Sequence, residues 1–298
     1  MRIAAGFIRG APRRVPGAER KNRTCTAQEK ERHGASCMIE VQDLTKTFQS
    51  GLLRVNRTKA VDHVSFSVAQ GKTLGLAGMS GSGKSTVARI LMGLLPADSG
   101  SVCIDGKQVL SLRGKELKDY RTHTQMIYQN PTTSLNPAKK LLTSVTEPLA
   151  IHGIGDSTSR RRKAVEKFHT VGLDESLLLR YPHQISGGEA QRTMIARALM
   201  LEPKVLILDE PTSMLDVSIQ AQILGLLKQL QRELGMTYLM ISHDIGVLEW
   251  FCDDLAVMYH GKIVEQGTAT QLLSAPQDAY TRELMESYRR SQVQFIGK

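Results

Sequence analysis

Gly78-Met79-Ser80-Gly81-Ser82-Gly83-Lys84-Ser85-Thr86 is the stretch that decides how this chain folds. Ahead of it stands a short apolar run, Thr73-Leu74-Gly75-Leu76-Ala77; behind it, Val87-Ala88-Arg89-Ile90-Leu91-Met92 is apolar at helical spacing. Strand, glycine loop and helix is the context in which G-x-x-x-x-G-K-[ST] cradles a polyphosphate. Each position has a chemical reason. Gly81 and Gly83 let backbone N–H groups close around an anion with no Cβ in the way. The helix that starts near Lys84 turns its positive end toward that anion. Lys84 reaches the terminal phosphates, and Ser85 offers a hydroxyl to Mg2+. Gly78, Ser80, Ser82 and Thr86 complete the expected nucleotide contacts.

A second stretch carries matching chemistry. Lys204-Val205-Leu206-Ile207-Leu208 is continuously apolar, as a buried parallel strand is, and it ends in Asp209-Glu210. Carboxylates at the carboxyl end of such a strand lie in the crevice where open parallel sheets bind ligands. Asp209 is therefore expected in the Mg2+ shell, and Glu210 is placed to polarise an attacking water.

Composition sets the outer bounds. The chain has 298 residues, is 41% hydrophobic and carries a formal charge of +10. It can bury a core, so wholesale disorder is excluded. No apolar run approaches the roughly 20 residues that cross a bilayer. Residues 1–37 hold nine basic residues against three acidic ones, so most of the positive excess sits in a short segment rich in Arg, Gly, Pro and Ala. That segment shows neither strand nor helix period and is expected to be unstructured. Three readings of it compete: an upstream extension with Met38 the natural start, a basic arm for anionic lipid, or a targeting segment, against which Glu19, Glu29 and Glu31 count. Cys25, Cys37, Cys103 and Cys252 have no metal-ligand spacing and are expected as reduced thiols.

Ile185-Ser186-Gly187-Gly188-Glu189-Ala190-Gln191-Arg192 lies between these two stretches and resembles the signature of ABC-type ATPases. Further family elements follow in family order: Gln129 after Tyr128, Ser213-Met214-Leu215-Asp216 after the acidic pair, and Ser242-His243-Asp244 after the apolar run Thr237–Ile241. Phe48 stands where the family commonly places an aromatic against adenine. Glu189 in place of Gln and Met214 in place of Ala depart from the usual pattern without removing a ligand. The resemblance extends from Met38 to the C-terminus.

It implies an α/β P-loop NTPase fold: a mostly parallel core sheet, an antiparallel β subdomain and an inserted helical subdomain. The domain spans 38–298, with the β subdomain over 38–113 and the helical one near 131–190. A late hairpin of Leu255–Tyr259 and Lys262–Gln266 should lead into a C-terminal helix containing Leu272, Leu273 and Leu284. Two cassettes would dimerise head to tail, each ATP lying between one phosphate loop and the partner's signature. Ser186, Gly187 and Gly188 would then serve the opposite site. His243 would contact the terminal phosphate, Asp216 would link the two sites, and Gln129 would sense Mg2+ and water.

Finer stretches, Gln129–Pro137, Leu215–Gln222, Ile241–Leu248 and Ala275–Leu284, look like the ATPase subunits of bacterial peptide/nickel importers. Such subunits imply ATP and Mg2+ as cofactors, a second ATPase, two permease subunits, an extracytoplasmic binding protein and a peripheral place on the cytoplasmic face of the membrane. No cysteine follows Cys252, so the C-terminal iron–sulfur cluster of some members is not expected. A soluble relative acting on nucleic acid or ribosomes is the alternative. The short interval between Lys84 and Ser186 has no room for a long coiled coil, and one cassette rather than two is present, so a nucleic-acid partner is not expected.

Overall fold

The computed structural model describes residues 37–50, 56–130 and 134–296. Strands β1 (Cys37–Ser50), β2 (Asn56–Ala69) and β3 (Thr73–Ala77) lead to helix α1 (Lys84–Leu91). Strands β4 (Ser99–Ile104) and β5 (Lys107–Gln108), helix α2 (Gly114–His123) and strand β6 (Thr124–Ile127) follow. A helical stretch comes next, α3 (Leu141–His152), α4 (Ser157–Thr170) and α5 (Gly187–Leu199). Strands and helices then alternate: β7 (Val205–Asp209), α6 (Val217–Leu234), β8 (Thr237–Ile241) and α7 (Ile245–Phe251). The chain ends in β9 (Asp254–Tyr259), β10 (Lys262–Thr268), α8 (Ala269–Ser274) and α9 (Ala279–Ile296).

Two sheets organise these elements, in the orders β2-β1-β4-β5 and β10-β9-β3-β8-β7-β6. The first is antiparallel throughout. The second is parallel except at its β9–β10 edge. Its strands are apolar on both faces because both faces are covered. Val205 and Ile207 of β7 with Leu239 and Ile241 of β8 enter one cluster, which the antiparallel sheet and α1 complete through Ile39, Val41, Val61, Val64, Val87 and Leu91. Leu206, Leu208, Tyr238 and Met240 enter the other, beneath α6, α7 and the helical stretch. Period-2 alternation thus feeds two core layers from one sheet.

Gly75 shows how close the second layer lies. A Cβ there would stand 2.5 Å from Leu255 Cδ2, 2.8 Å from Cys252 Sγ and 3.0 Å from Leu248 Cδ2. Strand β3, which carries the phosphate loop, is pressed against α7, which follows His243.

The helical stretch has local causes of its own. Asp156 caps α4 by accepting the Ser159 N–H at 2.7 Å, and Ser159 Oγ accepts the Asp156 N–H at 2.9 Å. Arg161 and Arg162 face solvent while Ala164 and Phe168 are buried, as expected for a basic amphipathic helix. Arg197 Nη2 and Lys139 Nζ both bond Glu147, at 3.1 and 2.8 Å, tying α5 and the entry to α3 together.

One expectation needs correction. The C-terminal apolar residues do not share one helix: Leu272 and Leu273 are in α8, Leu284 is in α9, and Ala275 between them has φ −142° and ψ 62°. Pro276 drives Ala275 out of the helical region and cannot donate an N–H to continue the turn. Cys252 is a buried free thiol whose pKa is pushed up by burial. The three readings of the basic N-terminal segment fall outside the described residues.

Candidate nucleotide site

β3 ends at Ala77 and the chain turns through Gly78–Gly83 before α1 begins at Lys84. Three glycines shape the turn for different reasons. Gly78 has φ 142° and a Cβ there would meet Met258 O at 2.2 Å; Gly83 has φ 111° and its Cβ would meet Ala60 O at 2.1 Å. Both are crowded by neighbouring backbone rather than by the end of a flexible side chain. Gly81 has φ 81° with nothing within 4 Å of a Cβ, so conformation alone requires glycine and the space beside it is open. The loop is also held from outside, since the Gly261 N–H donates to Ser82 O at 3.0 Å. Ser80 is exposed, and Thr86 lies in the first turn of α1, its N–H donating to Gly83 O at 3.0 Å.

Lys84 is 5% exposed, and its Nζ donates to Gly78 O at 2.7 Å, Met79 O at 2.8 Å and Ser82 Oγ at 3.2 Å. Burial lowers its pKa, opposed by the attraction of Glu210 and Asp209. Beside it, Ser85 Oγ donates to Asp209 Oδ1 at 3.0 Å. Asp209 is 8% exposed; burial raises its pKa, the Ser85 bond opposing, and Glu210 adds to the rise.

Glu210 follows at the strand end with φ 50°, a left-handed conformation unusual for a residue with a side chain. Its N–H donates to Ile241 O at 2.9 Å, continuing the β7–β8 ladder past the last strand residue. The turn aims the carboxylate at two partners. Gln129 Nε2 donates to Oε2 at 2.7 Å, and His243 Nδ1 lies 3.0 Å from Oε1. Gln129 comes from the segment after β6 and His243 from the end of β8, before Asp244 caps α7 by accepting the Gly246 and Val247 N–H groups at 2.9 and 3.2 Å. Residues expected from sequence as catalytic thus converge on one carboxylate. Gln129, expected also near Mg2+, spends its amide on Glu210.

The remaining expected residues occupy other surfaces. Phe48 lies on β1 with its ring 41% exposed and Lys46 Nζ 5.8 Å from its centroid. Ser186 caps α5: its N–H and Oγ donate to Glu189 Oε2 at 2.7 and 2.8 Å, and Oγ accepts the Glu189 N–H at 3.3 Å. That capping box gives Glu189 a structural role and lowers its pKa through the Ser186 bonds. Gly187 and Gly188 leave room for Leu215 Cδ2 and Ile219 Cγ2, which a Cβ would meet at 3.3 and 2.9 Å. Asp216 starts α6 with its carbonyl accepting the Gln220 N–H at 2.8 Å. Signature and Asp216 segment therefore pack on each other.

Tyr280 is a contact that motif reading did not assign a task. Its Oη accepts the Met79 N–H at 3.1 Å across 201 positions of sequence. Its one sequence signal is the Ala275-Pro276 to Leu284 stretch, which suggested kinship and no role.

The residues suit a polyphosphate and a hard cation. An open glycine loop, a buried ammonium and a helix N-terminus converge on one space, while hydroxyl and carboxylate oxygens form an oxygen-only donor pair of the kind Mg2+ takes. A parallel sheet bearing this loop, with an acidic pair on the next strand but one, defines a P-loop nucleoside triphosphatase.

Comparison with known proteins narrows the class. Residues 61–213 match the family described as ABC transporter. The chain is 42% identical over 251 residues to an oligopeptide transport ATP-binding protein of Streptococcus mutans, covering 84% of this chain and 81% of that one. It is 40% identical over 253 residues to a dipeptide transport ATP-binding protein of Lactococcus lactis, covering 84% and 80%. A dimeric ATP-binding cassette solved with ADP and phosphate superposes with a TM-score of 0.70 at 31% identity, covering 78% of this chain and 99% of that one. The chain belongs to the ABC transporter ATPase family.

Proposed function

We propose that this chain binds ATP with Mg2+ and hydrolyses it to drive peptide import, as the ATP-binding subunit of a bacterial importer. The observation that carries the chemistry is the Glu210 carboxylate held between Gln129 and His243, beside Lys84, Ser85 and Asp209. In this reading the loop N–H groups from Gly78 to Thr86 and the Lys84 ammonium hold the phosphates. Ser85 and Asp209 hold Mg2+, with Gln129 near it. Bound Mg2+ would neutralise charge on the phosphate oxygens and orient them for in-line attack. Glu210 takes the proton of the attacking water, and His243 steadies both Glu210 and the terminal phosphate. Phe48, whose ring is not committed to a core, stacks on the adenine.

In this reading Ser186, Gly187 and Gly188 serve the ATP of a second cassette, with Asp216 linking the two sites. Exposed Met214 and Val217, at 63% and 82%, flank Asp216 and supply apolar surface for that contact. The dimeric relative favours this assembly. Two permease subunits and an extracytoplasmic binding protein complete it at the cytoplasmic face of the membrane. No helix among the described residues is long and apolar enough to cross a bilayer. The folded domain is proposed as 38–298, with the helical part near 131–190 meeting the permease. The relatives are named for peptides, which favours peptide over nickel and over a nucleic-acid role.

Glu210→Gln tests the chemistry. Turnover of MgATP should fall by about a hundredfold or more, the range for loss of a general base, while ATP binding persists. Wild-type turnover in that variant excludes Glu210 as the base. With its permease and binding protein in vesicles, hydrolysis should rise when the binding protein carries peptide.

A further inference from the structure

The C-terminal helix α9 reaches the phosphate loop from outside the nucleotide-site motifs. Tyr280, in its first turn, accepts the Met79 N–H at 3.1 Å. Its ring stacks on Tyr259 at the end of β9, with centroids 4.0 Å apart and planes at 26°. Neither ring is loose. Asp278 Oδ1 accepts the Tyr280 and Thr281 N–H groups at 2.9 and 3.3 Å, fixing the start of α9. Glu265 on β10 accepts the Gln277 and Asp278 N–H groups at 2.8 and 3.1 Å, fixing the approach to it. Tyr259 is braced in turn by His260, edge-on at 4.2 Å.

We propose that Tyr280 is a positioning residue for the nucleotide, setting the geometry of the phosphate loop by holding the Met79 N–H while Lys84 holds the Met79 carbonyl. Met79 is gripped at both ends of its backbone: its carbonyl accepts from Lys84 Nζ at 2.8 Å and from the Ser82 N–H at 3.2 Å, its N–H goes to Tyr280. When Lys84 turns to phosphate oxygens, one of the carbonyl's bonds is given up. Tyr280 is then the side chain that keeps the first turn of the loop where the downstream N–H groups need it. The inference rests on the ATP reading given above.

The test separates the hydrogen bond from the packing. Tyr280→Phe keeps the stack on Tyr259 and removes the acceptor; Tyr280→Leu removes both. Arg289→Ala loosens α9 elsewhere, where Arg289 Nη2 donates to Leu273 O at 2.7 Å. Steady-state hydrolysis, equilibrium ATP binding and nucleotide-free thermal unfolding are measured on the full chain. Loss of this one acceptor should raise KM and Kd for MgATP roughly two- to tenfold in Tyr280→Phe, with the nucleotide-free midpoint nearly unchanged. Tyr280→Leu should raise them further, and Arg289→Ala should lower only the midpoint. Wild-type KM and Kd in Tyr280→Phe overturn the proposal, as does an equal rise in Arg289→Ala, which would make the effect one of helix docking. A wild-type chain that binds no ATP refutes the underlying reading, and the inference with it.

Discussion

Substituting Gly83 and Gly81 separately by Ala distinguishes the two tasks that glycine performs in the phosphate loop. At Gly83 an added Cβ would lie 2.1 Å from Ala60 O, a backbone atom of β2 at a register shift of the β1–β2 pairing, and φ is 111°. Holding Ala in such a conformation costs about 1–3 kcal/mol. Forcing the carbonyl aside adds about 1–3 kcal/mol, as overpacking does elsewhere. The sum, about 2–6 kcal/mol, corresponds to a midpoint lowered by at least about 4 °C at 2–4 °C per kcal/mol. At Gly81 φ is 81° but nothing lies within 4 Å, so the nucleotide-free protein should lose only about 1–2 kcal/mol. The same Cβ projects into the space assigned to phosphate, so ATP binding should collapse. Thermal unfolding without nucleotide, paired with equilibrium ATP binding, reads both effects. A Gly83→Ala midpoint equal to wild type, or a Gly81→Ala protein that binds ATP normally, would refute the division of labour.

Asp209→Asn should make nucleotide-free stability less dependent on pH. Burial raises the Asp209 pKa above 3.8, so the folded chain holds this proton more tightly than the unfolded one; stability from the group is present below that value and lost as pH rises through the raised one. Unfolding midpoints from pH 4 to 7 should therefore fall more for wild type than for Asp209→Asn, and parallel curves would count against it. Gly75→Ala should cost about 1–3 kcal/mol, because the new methyl meets Leu255, Cys252 and Leu248 within 3.0 Å, which denaturant unfolding measures. Ser186→Ala removes the cap of α5 and should cost about 1 kcal/mol in the same assay.

What could be read in the sequence was what consecutive residues decide. The phosphate loop is a nine-residue stretch whose backbone needs glycine at set places, and the apolar runs before Asp209 and Ser242 are those of strands buried on both faces. Long-range contacts left no such trace. Nothing in the loop announces that Ala60 O and Met258 O are the atoms that forbid a side chain at Gly83 and Gly78. Family order suggested Gln129, Glu210 and His243, but not that both oxygens of one carboxylate are already bonded. Leu272, Leu273 and Leu284 continue one apolar texture across Pro276, and that texture masks the break the proline makes between α8 and α9.

The three hydrogen bonds of Lys84 carry a consequence for selectivity. Its ammonium is not a bare charge awaiting any anion, because Gly78 O, Met79 O and Ser82 Oγ already satisfy its donors. A ligand gains from Lys84 only the difference between its own oxygens and those three, so a lone orthophosphate or sulfate competes poorly against the loop itself. A chain of phosphates recovers the deficit along several N–H groups at once. The carbonyls around Lys84 would thus act as an internal competitor, one that in the ATP reading weighs more against a small anion than against a nucleoside triphosphate.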